Sequence, residues 1–149
     1  MTTARFLFRS VMLAGLLAAV AMAVRPAPGD AAAEEKPVLY ELRTYTTAPG
    51  RLPALHKRFA DHTMRLFEKH GMRNVIYWTP TDLEDTLVYV IAHESKDAAD
   101  KSWAGFRSDP EWKKAYAASR EDGPIVTKVV SQYLTPTEYS PQLSLPKSN

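Results

Sequence analysis

The chain contains no cysteine, and its six glycines never stand next to one another. The absence of cysteine excludes disulfides, zinc–thiolate sites, thiol catalysis and a lipid-modified N-terminal cysteine. The scattered glycines exclude a glycine-rich phosphate-binding loop, and no serine nucleophile motif is present. No metal-ligand spacing occurs among the four histidines, which are His56, His62, His70 and His93. The sequence therefore predicts no metal and no cofactor.

Long apolar runs are also scarce, and the one that exists lies near the N-terminus, from Val11 to Val24. Arg5 and Arg9 precede it, and the first acidic residue is Asp30. A basic segment, a short apolar run and small residues at a cleavage point are typical of a secretory signal peptide. The run is shorter than the roughly 20 residues that span a bilayer, which disfavours a permanent anchor. A mitochondrial transit peptide is disfavoured because the run is continuous rather than amphipathic.

We therefore predict a signal peptide over residues 1–33, with cleavage after Ala23 or Ala33. The mature protein is expected to be secreted or periplasmic, with no stable membrane anchor after cleavage. The whole chain has 19 basic and 17 acidic residues, but removal of residues 1–33 leaves equal numbers of each. A neutral mature protein without interleaved basic and aromatic residues predicts no nucleic-acid partner.

The rest of the chain divides into a linker at residues 34–37, a domain at 38–136 and an extended C-terminal tail at 137–149. Within the domain the hydrophobic pattern predicts strand, helix, strand, strand, helix and strand in that order. The predicted strands are Val38–Thr47, Met72–Thr79, Thr86–Glu94 and Ile125–Leu134. The first predicted helix is Leu52–His70, and the second runs from a cap at Ser95 through Phe106 and restarts at Ser108–Glu111. This order predicts an α+β fold, a ferredoxin-like βαββαβ unit with a four-stranded antiparallel sheet and two helices on one face.

Hydropathy predicts which way the side chains of the first strand and the first helix point. Alternation in the first strand puts Glu41, Arg43 and Tyr45 on one face, and we expect this polar face to point away from the helices. In the first helix, an inner stripe is expected at Leu55, Phe59, His62, Leu66 and His70. The other strands are apolar on both faces, which predicts a homodimer whose two helix-free sheet faces bury each other with the Glu41–Arg43 row between them.

Several segments in this order resemble the NIPSNAP family. They are Tyr40–Thr46 followed by Pro49-Gly50, Phe67–Met72, Tyr77-Trp78, and Trp103 followed by Phe106–Trp112. The resemblance covers residues 38–136 and implies a ferredoxin-like dimeric α/β barrel. It implies no particular reaction or catalytic residues. The mitochondrial and vesicle roles of animal members are not carried over, because this chain has a secretory-type leader.

Six residues are candidates for a ligand-binding site, and each also has a structural interpretation. Arg43 is either an anion anchor or the ion-pair partner of Glu41. His62 is either a core histidine or a ligand or base in the helix–sheet cleft. Trp78 and Trp103 either fill the core or line a pocket. The full candidate set is Glu41, Arg43, Tyr45, His62, Trp78 and Trp103, whereas His93 is expected to be a partly exposed strand end.

The function predicted from the sequence is that of a homodimer which binds a small molecule or a partner protein without established catalysis. The alternative is a small cofactor-independent enzyme, oxygenase-like or isomerase-like, which uses the cleft between helices and sheet. A third class is an interaction module that docks a protein on a strand edge or on the proline-rich tail. An enzyme predicts a cleft reached by His62, a binding protein predicts a cavity lined by Trp78 and Trp103, and an interaction module predicts no cavity.

Overall fold

A computed structural model describes residues 39–141. The predicted signal peptide, the linker, Val38 and the tail beyond residue 141 lie outside the described residues. The elements follow the predicted order, with bounds that differ by one or two residues at most ends. They are β1 (Leu39–Thr47), α1 (Leu52–Arg58), a π-helical segment (Phe59–Thr63), α2 (Met64–Lys69), β2 (Arg73–Trp78), β3 (Thr86–His93), α3 (Lys96–Ser108), α4 (Pro110–Ala118) and β4 (Val126–Leu134).

The four strands form one sheet in the order β2-β3-β1-β4, and every neighbouring pair is antiparallel. The predicted α+β fold is therefore confirmed. The helices cover one face, where an aromatic and aliphatic core fills the space between helices and sheet. Its centre is Tyr89 of β3, whose ring lies 5.2 Å from Phe59 and 6.1 Å from Phe67 between ring centroids. Within the described residues no helix is long and apolar enough to cross a membrane.

The predicted restart within the second helical segment is confirmed at Asp109, which lies between α3 and α4. Its carboxylate caps α4 by accepting a hydrogen bond from the Glu111 backbone N–H at 2.8 Å, next to a proline at the first helical position. The same carboxylate accepts from Lys69 Nζ and lies against His70 Nε2, each at 2.7 Å. These hydrogen bonds, that of Lys69 first, lower the pKa of Asp109 below its ordinary value. Asp109 thus joins the end of α2 to the junction of α3 and α4.

The predicted direction of β1 is wrong. Glu41, Arg43 and Tyr45 face the helices, since Glu41 bonds Trp103 of α3 and Tyr45 packs edge-on against Phe59. Hydropathy misassigned the strand because it treats a charged residue as exposed, whereas every hydrogen bond that Glu41 needs is supplied inside the domain. The Glu41–Arg43 row is therefore not on the helix-free face, and it cannot form the centre of an interface there.

The predicted inner stripe of the first helix is wrong in its middle. His62 is only half-buried, and Thr63 is buried in its place. The cause is the π-helical segment, in which one extra residue per turn shifts the inward-facing positions by one. Thr63 Oγ1 donates a hydrogen bond to the carbonyl oxygen of Arg58, 3.2 Å away and five residues earlier. Leu55, Phe59 and Leu66 are buried as predicted.

The helix-free face of the sheet exposes several large apolar side chains. Its exposed side chains come from the two outer strands, and Trp78 of β2 is 47% exposed. Val88 and Val90 of β3, between them, are half-buried. The large apolar side chains most exposed on this face are Ile76, Trp78, Val130 and Leu134.

Candidate functional site

Glu41 lies at the centre of a buried polar network below α3. Its Oε1 accepts hydrogen bonds from Arg43 Nη1 at 2.5 Å and Ser131 Oγ at 2.6 Å. Its Oε2 accepts from Trp103 Nε1 at 2.7 Å and lies 3.0 Å from His93 Nε2. The predicted pairing of Arg43 with Glu41 is confirmed. Four donors from β1, β3, α3 and β4 therefore converge on one carboxylate.

The network fixes the charge of Glu41. Burial alone would raise its pKa, but the hydrogen bonds from His93, Ser131, Trp103 and Arg43 outweigh burial and lower the pKa to about 2. Glu41 is therefore a carboxylate at neutral pH, which accepts hydrogen bonds and cannot donate one. His93 Nε2 must then carry the proton that it shares with Glu41. The network leaves no oxygen of Glu41 available to a ligand, so we interpret it as structural.

The expectation for His93 is wrong, because its side chain is fully buried rather than at an exposed strand end. The end of β3 is covered by its neighbours, since His93 is the register partner of Leu39 and its ring lies 6.3 Å from that of Tyr133 between centroids. His93 Nδ1 has no hydrogen-bond partner in the described part of the chain.

Arg43 continues the network toward a cleft. Its guanidinium lies 4.3 Å from the centroid of the Trp103 ring, and Nη2 donates to the Tyr45 hydroxyl at 3.2 Å. The charged form of Arg43 is favoured, because the effects of Tyr89, Tyr45 and Glu41 outweigh burial and raise its pKa. Tyr45 in turn lines the cleft. Arg43 thus positions the Tyr45 hydroxyl at the wall of that space.

The cleft lies between α1, the π-helical segment and α4 on one side and β1 and β4 on the other. Its volume is about 250 Å³, and six of its ten lining residues are aromatic. We call it the aromatic cleft and define it by these residues: Tyr45, Arg58, Phe59, Thr63, Phe67, Phe106, Trp112, Tyr116, Val126 and Val129.

Arg58 is the charged residue of the aromatic cleft, and only 4% of it is exposed. Nη1 donates to Ser119 Oγ at 3.2 Å, whereas Nε has no hydrogen-bond partner among the residues that the structure describes. The guanidinium lies 5.4 Å from the Trp112 ring centroid and 5.3 Å from that of Tyr116. Burial lowers the pKa of Arg58. No carboxylate among the described residues forms an ion pair with it.

The six candidate site residues do not lie in one place in the structure. Glu41, Arg43, Tyr45 and Trp103 lie together, but of these only Tyr45 lines the aromatic cleft. Trp78 lies on the opposite side of the domain, so the predicted cavity lined by both Trp78 and Trp103 does not form.

A second, more open depression of about 350 Å³ lies between α1 and β2. Trp78 lines it together with His56, whose Nε2 lies 3.3 Å from Thr79 Oγ1. No buried charged residue faces this depression. His62 lines neither space, and within residues 39–141 no cluster of His, Asp and Glu could hold a metal ion.

Arg58 was missed in the sequence. One signal was available, because Arg58 and Phe59 stand three and four residues after Leu55, the spacing at which residues share a helix face. An arginine at such a position can be buried or can extend to water, and the sequence does not distinguish these outcomes. Ser119, Trp112 and Tyr116, which surround Arg58, are more than fifty residues away along the chain.

Comparisons with known proteins agree on one family. The NIPSNAP family model matches residues 40–141. The structure resembles that of a NIPSNAP family protein of unknown function from Agrobacterium tumefaciens, with a TM-score of 0.63 and 23% identity over 72% of this chain and 95% of that chain. It also resembles an uncharacterized NIPSNAP-like domain protein from Burkholderia xenovorans, with a TM-score of 0.64 and 18% identity over 74% of this chain and 94% of that chain. No curated protein matches the chain in sequence.

The fold extends to proteins with other names. A mutant of SnoaB, a cofactor-independent oxygenase from Streptomyces nogalater, has a TM-score of 0.52 and 16% identity over 70% of this chain and 98% of that chain. At such identities the likeness shows the fold alone. The described domain is thus a ferredoxin-like unit of the dimeric α/β-barrel type.

Proposed function

The chain belongs to the NIPSNAP family, and we propose that it is an exported homodimer which binds a small molecule in the aromatic cleft, without established catalysis. The observation that carries this proposal is the cleft itself, a space of about 250 Å³ with aromatic walls and one buried arginine. Apolar walls with few polar groups are typical of small-molecule sites.

The homodimer is proposed from the helix-free face. Ile76, Trp78, Val130 and Leu134 form an exposed apolar surface on one side of the sheet. A second copy of the chain offers the same surface, and face-to-face packing around a two-fold axis would cover both. The aromatic cleft lies on the other side of the sheet, so dimerisation would leave it open.

A thermal-shift screen of the purified protein against small aromatic acids, alcohols and fatty acids tests ligand binding. A ligand at a hundred times its Kd adds about 2.7 kcal/mol to the free energy of unfolding, which raises the melting temperature measurably. A hit in the aromatic cleft should also change the emission of Trp112. That change should persist in Trp78→Phe and disappear in Trp112→Phe. Absence of any hit, or a change that follows Trp78, contradicts the proposal.

An enzyme that acts in the same cleft is the second candidate. It is supported by the Tyr45 hydroxyl, which accepts a hydrogen bond from Arg43 at the cleft wall and could exchange a proton with a bound molecule. The likeness in fold to a cofactor-independent oxygenase adds an analogy and no more. Oxygen consumption or product formation with any compound that binds, lost in Tyr45→Phe while binding remains, would favour this candidate over simple binding.

A further inference from the structure

Arg58 is a buried cation with no anionic partner among residues 39–141. An unpaired charge inside a domain costs several kcal/mol, so buried arginines normally face a carboxylate. Glu41 shows that this domain supplies complete sets of partners elsewhere, since four side chains meet its carboxylate. For Arg58 the described residues supply one hydroxyl, that of Ser119, and two aromatic rings.

The surroundings of Arg58 add further positive charge. The Arg120 guanidinium lies 4.8 Å from the centroid of the Tyr116 ring, which Arg58 also contacts. The nearby Asp122 is 89% exposed and lies 3.9 Å from Arg51, with which it pairs only loosely. Three arginines therefore lie near the α4 end of the cleft, and within the described part of the chain no buried carboxylate pairs with Arg58.

The other walls of the aromatic cleft favour a flat, apolar ligand. Phe59, Phe67, Phe106 and Trp112 present ring faces and edges, and Val126 and Val129 of β4 close the opposite side. A volume of about 250 Å³ is enough for one or two fused rings. A single buried arginine matches one carboxylate, whereas phosphates are typically held by several donors.

We propose that the ligand of the aromatic cleft is a small aromatic monocarboxylate whose carboxylate group pairs with the guanidinium of Arg58 while its ring lies among Phe106, Trp112 and Val129. This inference rests on the proposed function, because it names the chemical class of the ligand for the same cleft. The ligand completes the set of partners that the described residues alone do not give to Arg58.

The test compares two probes of the same shape, naphthoate and naphthylmethanol, by isothermal titration calorimetry. The wild-type protein should bind naphthoate at least roughly tenfold more tightly than the alcohol, as charge-assisted hydrogen bonds of a guanidinium with a carboxylate would give. Equal affinity for the two probes overturns the inference and leaves the proposed function intact. Binding of neither probe, together with an empty screen, overturns both.

Arg58→Met and Arg107→Met provide the matched pair of variants. Arg107 is exposed on α3 and does not line the cleft. Arg58→Met should bind both probes equally, whereas Arg107→Met should keep the wild-type preference. Preference retained in Arg58→Met overturns the inference.

The melting temperature of Arg58→Met separates a binding role from a structural one. Methionine has a similar volume, and it removes the desolvation cost of a buried charge that no carboxylate among the described residues offsets. We therefore expect a melting temperature equal to or above that of the wild type. If Arg58→Met melts at a lower temperature and still prefers naphthoate to the alcohol, Arg58 has a purely structural role. The comparison of the two probes on the wild type stands without this variant if it fails to fold.

Discussion

At the residue scale, two of the buried charged residues, Glu41 and Arg58, are in opposite situations. The carboxylate of Glu41 has four hydrogen-bond partners, and the guanidinium of Arg58 has one side-chain hydrogen bond and no ion pair among the described residues. The first arrangement stabilises the native state, because removing Glu41 would leave several donors unmatched. The second costs stability, and such a cost is typical of sites that act on a ligand.

The pH dependence of Glu41 follows from its lowered pKa. A carboxyl group with an ordinary pKa of 4.5 and a native pKa of about 2 stabilises the fold above pH 4.5 and loses that contribution as the pH falls toward 2. Glu41→Gln should lower the free energy of unfolding by about 3 kcal/mol at pH 7, because a buried charge network loses its centre. The deficit should shrink between pH 4.5 and pH 2. Chemical unfolding at several pH values measures both effects.

Glu121→Gln is the control for this series, since Glu121 is exposed and its replacement should leave the free energy of unfolding at pH 7 unchanged. If the loss of unfolding free energy in Glu41→Gln stays constant down to pH 2, the charge of the carboxylate does not contribute to stability.

At the element scale, the sequence predicted which segments form helices and strands but not which way each one faces. The segments are recognisable because Ser95, Pro110 and Gly71 mark their ends and the period of apolar residues changes between them. Gly71 has a φ of 78°, a conformation that favours glycine after a helix. The facing of β1 depends on donors from α3, β3 and β4, which no local pattern contains. No local pattern reveals the π-helical segment either. Regular α-helical spacing therefore predicts that His62 faces inward, whereas Thr63 is the buried residue.

The contact between α2 and α3 explains a glycine in the middle of a helix. Gly105 lies in α3, where glycine stabilises a helix by roughly 1 kcal/mol less than alanine does. A Cβ at this position would stand 2.8 Å from His70 Nδ1, on a ring whose Nε2 lies against Asp109. The missing side chain lets His70 reach Asp109 across α3.

A double-mutant cycle tests this interpretation. Gly105→Ala alone should lower the free energy of unfolding, because the His70 ring must move away from Asp109. In a His70→Ala background the same substitution should raise it by up to about 1 kcal/mol, as helix propensity alone predicts. Urea unfolding of the four proteins gives the coupling. If Gly105→Ala changes the free energy of unfolding in the same direction with and without His70, the His70 ring accommodates the added methyl group without losing stability.

At the scale of the whole molecule, the two faces of the sheet have separate roles in this account. The helix-free face is proposed to join two copies, and the helix-covered face contains the core and the aromatic cleft. Lysine on the helix-free face should therefore weaken association without changing ligand binding. Ile76→Lys and Val130→Lys, each at a position about two-fifths exposed, are expected to shift the mass measured by light scattering from two chains toward one.

Leu83→Lys is the control for this shift, since Leu83 is a 56% exposed apolar residue in the loop between β2 and β3. It should leave the mass at two chains. A wild-type protein that scatters as a single chain at working concentration would remove the proposed interface.

The central claim is that the aromatic cleft is the binding site and that Arg58 is its anchor. A crystal structure of the protein grown with naphthoate tests both parts at once. The account predicts the carboxylate within hydrogen-bonding distance of the Arg58 guanidinium and the rings beside Trp112. Naphthoate bound in the depression beside Trp78 or on the helix-free face, with the aromatic cleft empty, would contradict it.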